Sequence, residues 1–574
     1  KQVQRLLRGD IQPEHLDPKR DNVTGILAEY ETKKAFEEAA EPIRKWNRQQ
    51  KAKLYAQAEE IVSDAGRIVD KKRGFMYSRE TLERNFRDIF RNREAADRMV
   101  EIYAKPVHEG SANAIRMKNR YRERVKALGL SRKVEKGNTV SEAYAVQFYG
   151  EVSDILRMME ESKFRLKKRD GKTYLEWKAE LQKLWEENPS LDKGKIEAAA
   201  QEFGKIYEEL FNQMNEVRVR NGYEPINHRS GYFPHFQQDG RDGILGQFGK
   251  ALGIDVEVQQ LPTTINGLTH TFKPGIRWFG NALERKGFDT AYDAVEGFDR
   301  YIEGVADVVH HTDNIQRLRA LANQIRYRTS DEGLREQIRK IQERTDLSDE
   351  EKDALIREKT KEGKFELSNF VVELDEYTNL LANKKSRADR NMEQAMGRDM
   401  YDIVKSLEGR VAANMVAINP GSWLTNFIPI TQGWACLDTR MMLKGMRDTV
   451  MAVKNDDGIV DESDFLTGRQ GSDPLVRTGA QEWSARLSKP MEWIDGFTAG
   501  TLVRARLQQN LAQGMSRAEA MSEANEWAAG VMADRTKGAM PTVFHRSNPL
   551  TKLFTQFQLE VNNQLSYLWK DIPR

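Results

Sequence analysis

Cysteine is nearly missing from the chain. Cys436 stands alone among 574 residues, which excludes an internal disulfide framework and any zinc or iron–sulfur site built on cysteine pairs. Neither sign of charge dominates: 91 Lys and Arg face 88 Asp and Glu, for a net charge of +3. That balance excludes a globally polycationic nucleic-acid binder, so any basic surface has to be local. No charged-then-apolar leader opens the sequence. A clean membrane-spanning run is lacking too. The longest uncharged stretch, Val411–Leu437, covers 27 residues, but Asn419-Pro420-Gly421-Ser422 and Pro429 cut it, and its Asn, Thr and Gln side chains would need partners in lipid. Two buried helices joined at a turn fit this stretch better.

What remains is enough to fold. Apolar residues make up 39% of the chain, which excludes wholesale disorder, and charged residues make up 31%, above the roughly 25% of an average domain. The length allows about three or four units of roughly 150 residues. The chain opens at Lys1 and stops at Arg574 directly after a patterned helix, so it reads as a middle piece of something longer.

Residues 1–222 read as successive helices, with Leu82, Phe86, Ile89, Met99 and Ile102 near the 3.6-residue period. Between 223 and 289 glycine and proline cluster, periodicity fades, and the alternation Ile254–Val258 with Thr269–Phe272 suggests a small β-hairpin. Helices resume over 290–410. Inside them 331–365 carries 20 charged residues in 35, an apolar stripe of Leu334, Ile338 and Ile341, and a Ser348…Glu351 capping box. That pattern predicts a helical hairpin that projects or packs on a neighbouring chain. The last region, 411–574, ends in a helix with Leu550, Leu553, Phe554, Phe557, Val561, Leu565 and Leu568 on one face, opposite Gln556, Glu560 and Asn563. The expected fold class is mainly α: an elongated multi-helix assembly with one irregular Gly/Pro-rich segment.

Motif templates for chemistry fail one after another. Asp170-Gly171-Lys172-Thr173 ends like a phosphate-binding loop, yet Leu166 fills the first glycine position. Asn455-Asp456-Asp457-Gly458 resembles part of a calcium loop, but Val453 holds the first ligand position and Asp464 the bidentate one. His108-Glu109 lacks the second histidine of a zinc-protease helix. No catalytic or metal residue is assigned, and no cofactor is expected. Two groups stay open as a candidate functional cluster: His228 and His235 in an aromatic-rich loop, and His310, His311 and Asp313 on a helix, where structural hydrogen bonding competes with acid–base or metal use. A third candidate is phosphate contact by Arg116, Lys118, Arg120, Arg122, Arg124 and Lys126, with Lys167, Lys168 and Arg169; a solvated face balanced by nearby Glu is the plainer reading.

Several phrases are more specific than any of these motifs. They are Tyr77-Ser78-Arg79-Glu80-Thr81-Leu82, Asn221-Gly222-Tyr223-Glu224-Pro225 leading to Tyr232-Phe233-Pro234-His235, Ile265-Asn266-Gly267-Leu268 leading to Phe272-Lys273-Pro274-Gly275, Phe298-Asp299-Arg300-Tyr301-Ile302, and Asn548-Pro549-Leu550-Thr551-Lys552-Leu553-Phe554. With them the chain, from about residue 70 onward, resembles the long helical region of very large phage and prophage minor structural (polyvalent, virion-associated) proteins of low-GC Gram-positive bacteria. The resemblance implies a non-enzymatic virion component: a helical scaffold or ejection protein that helps deliver DNA. It would associate with itself or with portal and capsid proteins, in the virion and, during assembly, in the bacterial cytoplasm. It also implies membrane contact through segments beyond residue 574. The family supplies no catalytic residues to carry over. A delivered effector enzyme with a site in 223–314, and a sequence-nonspecific nucleic-acid binding module, are the alternatives.

Overall fold

A computed structural model describes residues 49, 52–62, 79–89, 92–161, 168, 171–221, 236–237, 290–329, 331–344, 346–363, 368–382, 391, 394–395, 428–477, 479–534, 536–546 and 559–566. These residues form an all-α, multi-helix protein. The hairpin expected at 254–272 lies outside them, and so does most of the Gly/Pro-rich segment. The extended pairing that is described is a two-residue antiparallel ladder, β1 (Phe236–Gln237) against β2 (Thr290–Ala291).

The front of the chain runs through α1 (Leu82–Ile89), α2 (Arg93–Met99), a π turn (Val100–Ala104), α3 (Lys105–Ala127), α4 (Glu142–Glu161), α5 (Tyr174–Glu187) and α6 (Lys193–Arg220). Local chemistry places their ends. Thr81 accepts the Arg84 N–H at 3.2 Å, so α1 starts from Thr81. Asp192 caps α6 through the Lys195 N–H. At Thr173, a capping box with Glu176 opens α5, so the Gly171-Lys172-Thr173 segment is a helix start and not a phosphate cradle. Pro106, in the first turn of α3, has no N–H to offer the preceding turn, and the helix widens into its π turn just upstream.

The middle is organised by α7 (Ala294–Thr329), a helix of 36 residues, about 54 Å long at 1.5 Å per residue. It carries two apolar stripes in series. Ala294, Phe298, Ile302, Val305 and Ala306 pack with Met117, Tyr121 and Val125 of α3, and with α4 and α6. Ile315, Leu318, Leu321 and Ile325 pack with Phe86, Met99, Tyr103 and Val107, and with Phe370, Leu374 and Tyr377 of α10 (Ser368–Leu381). Between α7 and α10, α8 (Asp331–Glu343) and α9 (Asp349–Gly363) lie against each other, and the expected Ser348–Glu351 box is present.

A third core is built by α11 (Ile428–Cys436), α12 (Thr439–Ala452), α13 (Ile459–Glu462), α14 (Asp464–Gln470), α15 (Gly479–Ala512) and α16 (Arg517–Val531), followed by α17 (Thr542–Arg546) and α18 (Leu559–Ser566). The α12–α15 crossing is close because it is made over Gly445: a Cβ there would sit 2.7 Å from the Thr501 carbonyl oxygen and 2.9 Å from the Ala505 nitrogen. Two sequence expectations change here. Of the uncharged stretch, 428–437 is described; α11 buries Pro429, Ile430 and Gly433 but exposes Ile428, Trp434 and Cys436, so it is half-buried and not internal. In α18 the covered side mixes Leu559 with Asn562 and Asn563; of the expected apolar face only Leu565 has a described side chain. Asn562 donates to the Arg79 carbonyl and Asn563 to the Gly530 carbonyl, while Leu565 is 47% exposed. The amides satisfy main-chain carbonyls that leucine could not, which lets Asn562 and Asn563 share the buried side with Leu559.

Candidate functional site

The two stripes of α7 are separated by Asp307, His310, His311, Thr312, Asp313 and Asn314. Opposite them on α3 stand His108, Gly110, Ser111, Lys118 and Arg122. This polar waist is where all three cores meet. Backbones touch at its centre: a Cβ on Gly110 would lie 2.8 Å from the His310 carbonyl oxygen and 2.9 Å from Asn314 Nδ2. Asn314 in turn donates to the Pro106 carbonyl at 2.7 Å, supplying a donor at the junction of the π turn and α3.

One side of the waist is a ladder of interior charges. On α3, Lys118 and Arg122 are one turn apart; on α7, Asp299, Glu303 and Asp307 are successive turns, so the two rows face each other. Arg122 Nε donates to Asp299 at 2.7 Å and its Nη2 to Glu303 at 2.7 Å. Lys118 donates to Glu303 at 2.7 Å and to Asp307 at 3.3 Å. Asp307 also accepts from Lys537 of the third core at 2.6 Å. Burial pushes the Asp307 carboxyl up, but Lys537 and Lys118 outweigh it and hold the group well below the usual carboxylate range. Lys118 is likewise disfavoured as a cation by burial and nonetheless raised by Asp307 and Glu303.

The third core is tied down along the same line. Residues 471–477 cross from α14 onto α3 and α7. Ser472 accepts from Arg122, Asn119 donates to the Gly471 carbonyl at 3.4 Å, the Val476 N–H reaches Asp299 at 3.3 Å, and Leu475 and Val476 pack on the second core. Further along, His108 Nδ1 stands 3.7 Å from Asp534, Arg116 pairs with Asp464 at 2.8 Å, and Tyr377 donates to the Gly538 carbonyl. Burial opposes a charge on His108, but Asp534 raises its pKa above the ordinary histidine value.

His311 is 1% exposed, and Ser111 Oγ is 3.4 Å from its Nε2. With Asp307 nearby the trio has the composition of a nucleophile–base–acid set, but not its geometry. Nδ1 of His311 has no hydrogen-bond partner, so the carboxylate does not orient the ring as such a set requires. Burial holds both His310 and His311 down to about 4, keeping the rings neutral at pH 7. Asp313 turns away, accepting from Arg220 at 2.6 Å and from Asn221. The members of the candidate cluster that are described therefore do not converge; His228 and His235 lie outside the described residues.

Of the cations expected to contact phosphate, the structure takes two out of solvent and pairs several others. Lys118 and Arg122 are 8% and 3% exposed and spent on α7. Arg124 bridges Glu202 and Glu209 of α6, Arg116 takes Asp464, Arg120 lies over the Tyr121 ring, and Lys126 sits beside Glu123. The side of α3 that stays exposed carries Glu109, Asn113, Arg120, Glu123 and Lys126, a face of mixed charge and not a row of cations. Lys168 is exposed, whereas Lys167 and Arg169 lie outside the described residues. The incomplete calcium motif is settled similarly: Arg504 grips Asp457 with two hydrogen bonds, at 2.8 and 2.9 Å.

Among the described residues no group of three or more His, Cys, Asp or Glu could hold a metal ion, and no helix is long and apolar enough to cross a membrane. Fold and junction together define an all-α protein whose interior charges hold helices in register. Comparison with family models, with curated proteins and with solved structures matches none.

Proposed function

We propose that the chain is a helical scaffold of a phage or prophage particle, a virion-associated component that supports self-association or contact with portal and capsid proteins during DNA delivery. The observation that supports this reading is the waist itself. Charged and polar groups that could have served catalysis or nucleic acid are used to fix the relative positions of three helical cores. Buried ion pairs of this kind are weak contributors to net stability, because desolvation offsets their attraction, but they disfavour other registers. A body held in one geometry suits a part that has to fit repeatedly into a larger assembly. The resemblance of the phrases quoted above to those of large phage structural proteins is the other ground for the proposal. Mass spectrometry of purified particles tests the proposal: the chain should co-purify with virions through a density gradient. Its absence from particles, with abundant protein left in the lysate, would overturn the reading.

A further inference from the structure

The outer side of α12 carries an unspent pattern. Its inner side is settled: Met442, Gly445 and Thr449 are buried against α15. About a quarter turn away, at roughly 100° per residue, lie Leu443, Met446, Val450 and Val453, spaced three, four and three residues apart. Leu443 is 54% exposed, Val450 50% and Val453 72%, while Met446 is partly buried against the core. Val453 keeps right-handed helical geometry (φ −63°, ψ −29°), so the stripe is continuous to its end. Single exposed apolar residues need no explanation, but four in the a and d positions of a heptad form a helix-packing seam.

The flank of that seam is equally regular. Arg440, Arg447 and Lys454 recur seven residues apart and occupy the position next to each a residue on the solvent side. Arg440 and Lys454 have no ionic partner among the described residues. Arg447 meets only its neighbour Asp448, itself shared with Gln508. A second copy pairing antiparallel would set this cationic row against its own image, and a parallel copy would have to use the opposite flank, where Met442 and Thr449 are already buried. The like-charge row therefore selects against self-pairing and for a complement of opposite sign.

We infer that α12 is a docking seat for an acidic amphipathic helix of a different protein: apolar residues at heptad spacing on its contact face, Asp or Glu on its flank. The inference rests on the scaffold reading for its purpose but not for its geometry. It is tested in solution, whereas scaffolding is tested in particles, so either can fail alone.

The experiment uses the full chain and a synthetic helix of about three heptads, with Leu at a and d and Glu at e and g, beside a twin carrying Lys at e and g. The Glu peptide should bind with a Kd of roughly tens of micromolar at low salt and the Lys peptide at least about tenfold more weakly. Leu443→Asp with Val450→Asp should abolish binding, with helical circular dichroism and the urea midpoint unchanged because both side chains are exposed. Arg440→Glu with Arg447→Glu and Lys454→Glu should exchange the preference for the Lys peptide. Equal binding of the two peptides, failure of both to bind, or insensitivity to either set of substitutions would overturn the inference. So would two other occupants: a self-association removed by Leu443→Asp, or co-sedimentation with phosphatidylserine vesicles removed by the same change without peptide binding.

Discussion

At the scale of single residues, three positions on α7 and α3 carry distinct costs. Asp307, buried, balances the buried Lys118 and the half-exposed Lys537. Asp307→Ala should destabilise the protein by about 3 kcal/mol, because the buried Lys118 ammonium then loses one of its two carboxylates while Lys537 can turn to solvent. Adding Lys118→Met to that variant should recover part of the loss, and urea unfolding of the two singles and the double would show it. Gly110→Ala should also destabilise markedly, since its methyl would meet the His310 carbonyl within 2.8 Å and backbone cannot step aside. His311 sets a pH dependence. Its folded pKa, about 4, lies below the ordinary 6.5, so the neutral ring stabilises the fold above pH 6.5, and that contribution is lost as pH falls towards 4. The loss should approach about 3 kcal/mol. His108 acts in the opposite sense: its raised pKa gives stability that is present below pH 6.5 and lost as pH rises through the folded value. Thermal melts at pH 7 and pH 4.5 should show a drop in Tm that His311→Gln reduces.

At the scale of elements, helices were readable where a local signal was complete. The 3.6-residue period and the Ser348–Glu351 box announced their helices, and the charged stretch 331–365 announced two helices in contact. The charge ladder had a signal that went unused: Lys118 and Arg122 on one helix and Asp299, Glu303 and Asp307 on another each repeat at one-turn spacing with a single sign. Reading the cations by themselves suggested a phosphate surface; read against a second helix of opposite sign they are a packing contact. On α18 two described residues, Asn563 inside and Leu565 outside, depart from the hydrophobic pattern for a related reason. Hydrophobicity alone puts asparagine outside, but an amide opposite an open carbonyl is worth more inside. The Gly445 crossing could not be read from the chain, because nothing local says which helix will approach it. Gly445→Val should cost several kcal/mol of unfolding free energy by pushing α12 off Thr501 and Ala505. Loss of core fluorescence at lower urea than in the unaltered protein would report it.

At the scale of the whole molecule, the 91 cations that nearly balance 88 anions include two that are buried and paired between helices, Lys118 with Glu303 and Asp307 and Arg122 with Asp299 and Glu303. It follows that removing a waist cation should change stability and leave DNA affinity untouched. Arg122→Ala should lower the urea midpoint, and fluorescence anisotropy with a short duplex should show no salt-dependent binding attributable to residues 116–126. A steep salt slope that Arg122→Ala abolishes would contradict the fold as described.

The length of α7 has a consequence for how the protein comes apart. One unbroken helix supplies a wall to each of the first two cores, so neither can open while the other stays closed without leaving half of that helix stranded in water. Those cores should therefore exchange their amide hydrogens in one cooperative step. The third core, joined to them among the described residues by side chains, a short crossing segment and the packing of α14 on α3 and by no shared helix, can breathe on its own, and its slowest amides should fall into a separate, less protected class.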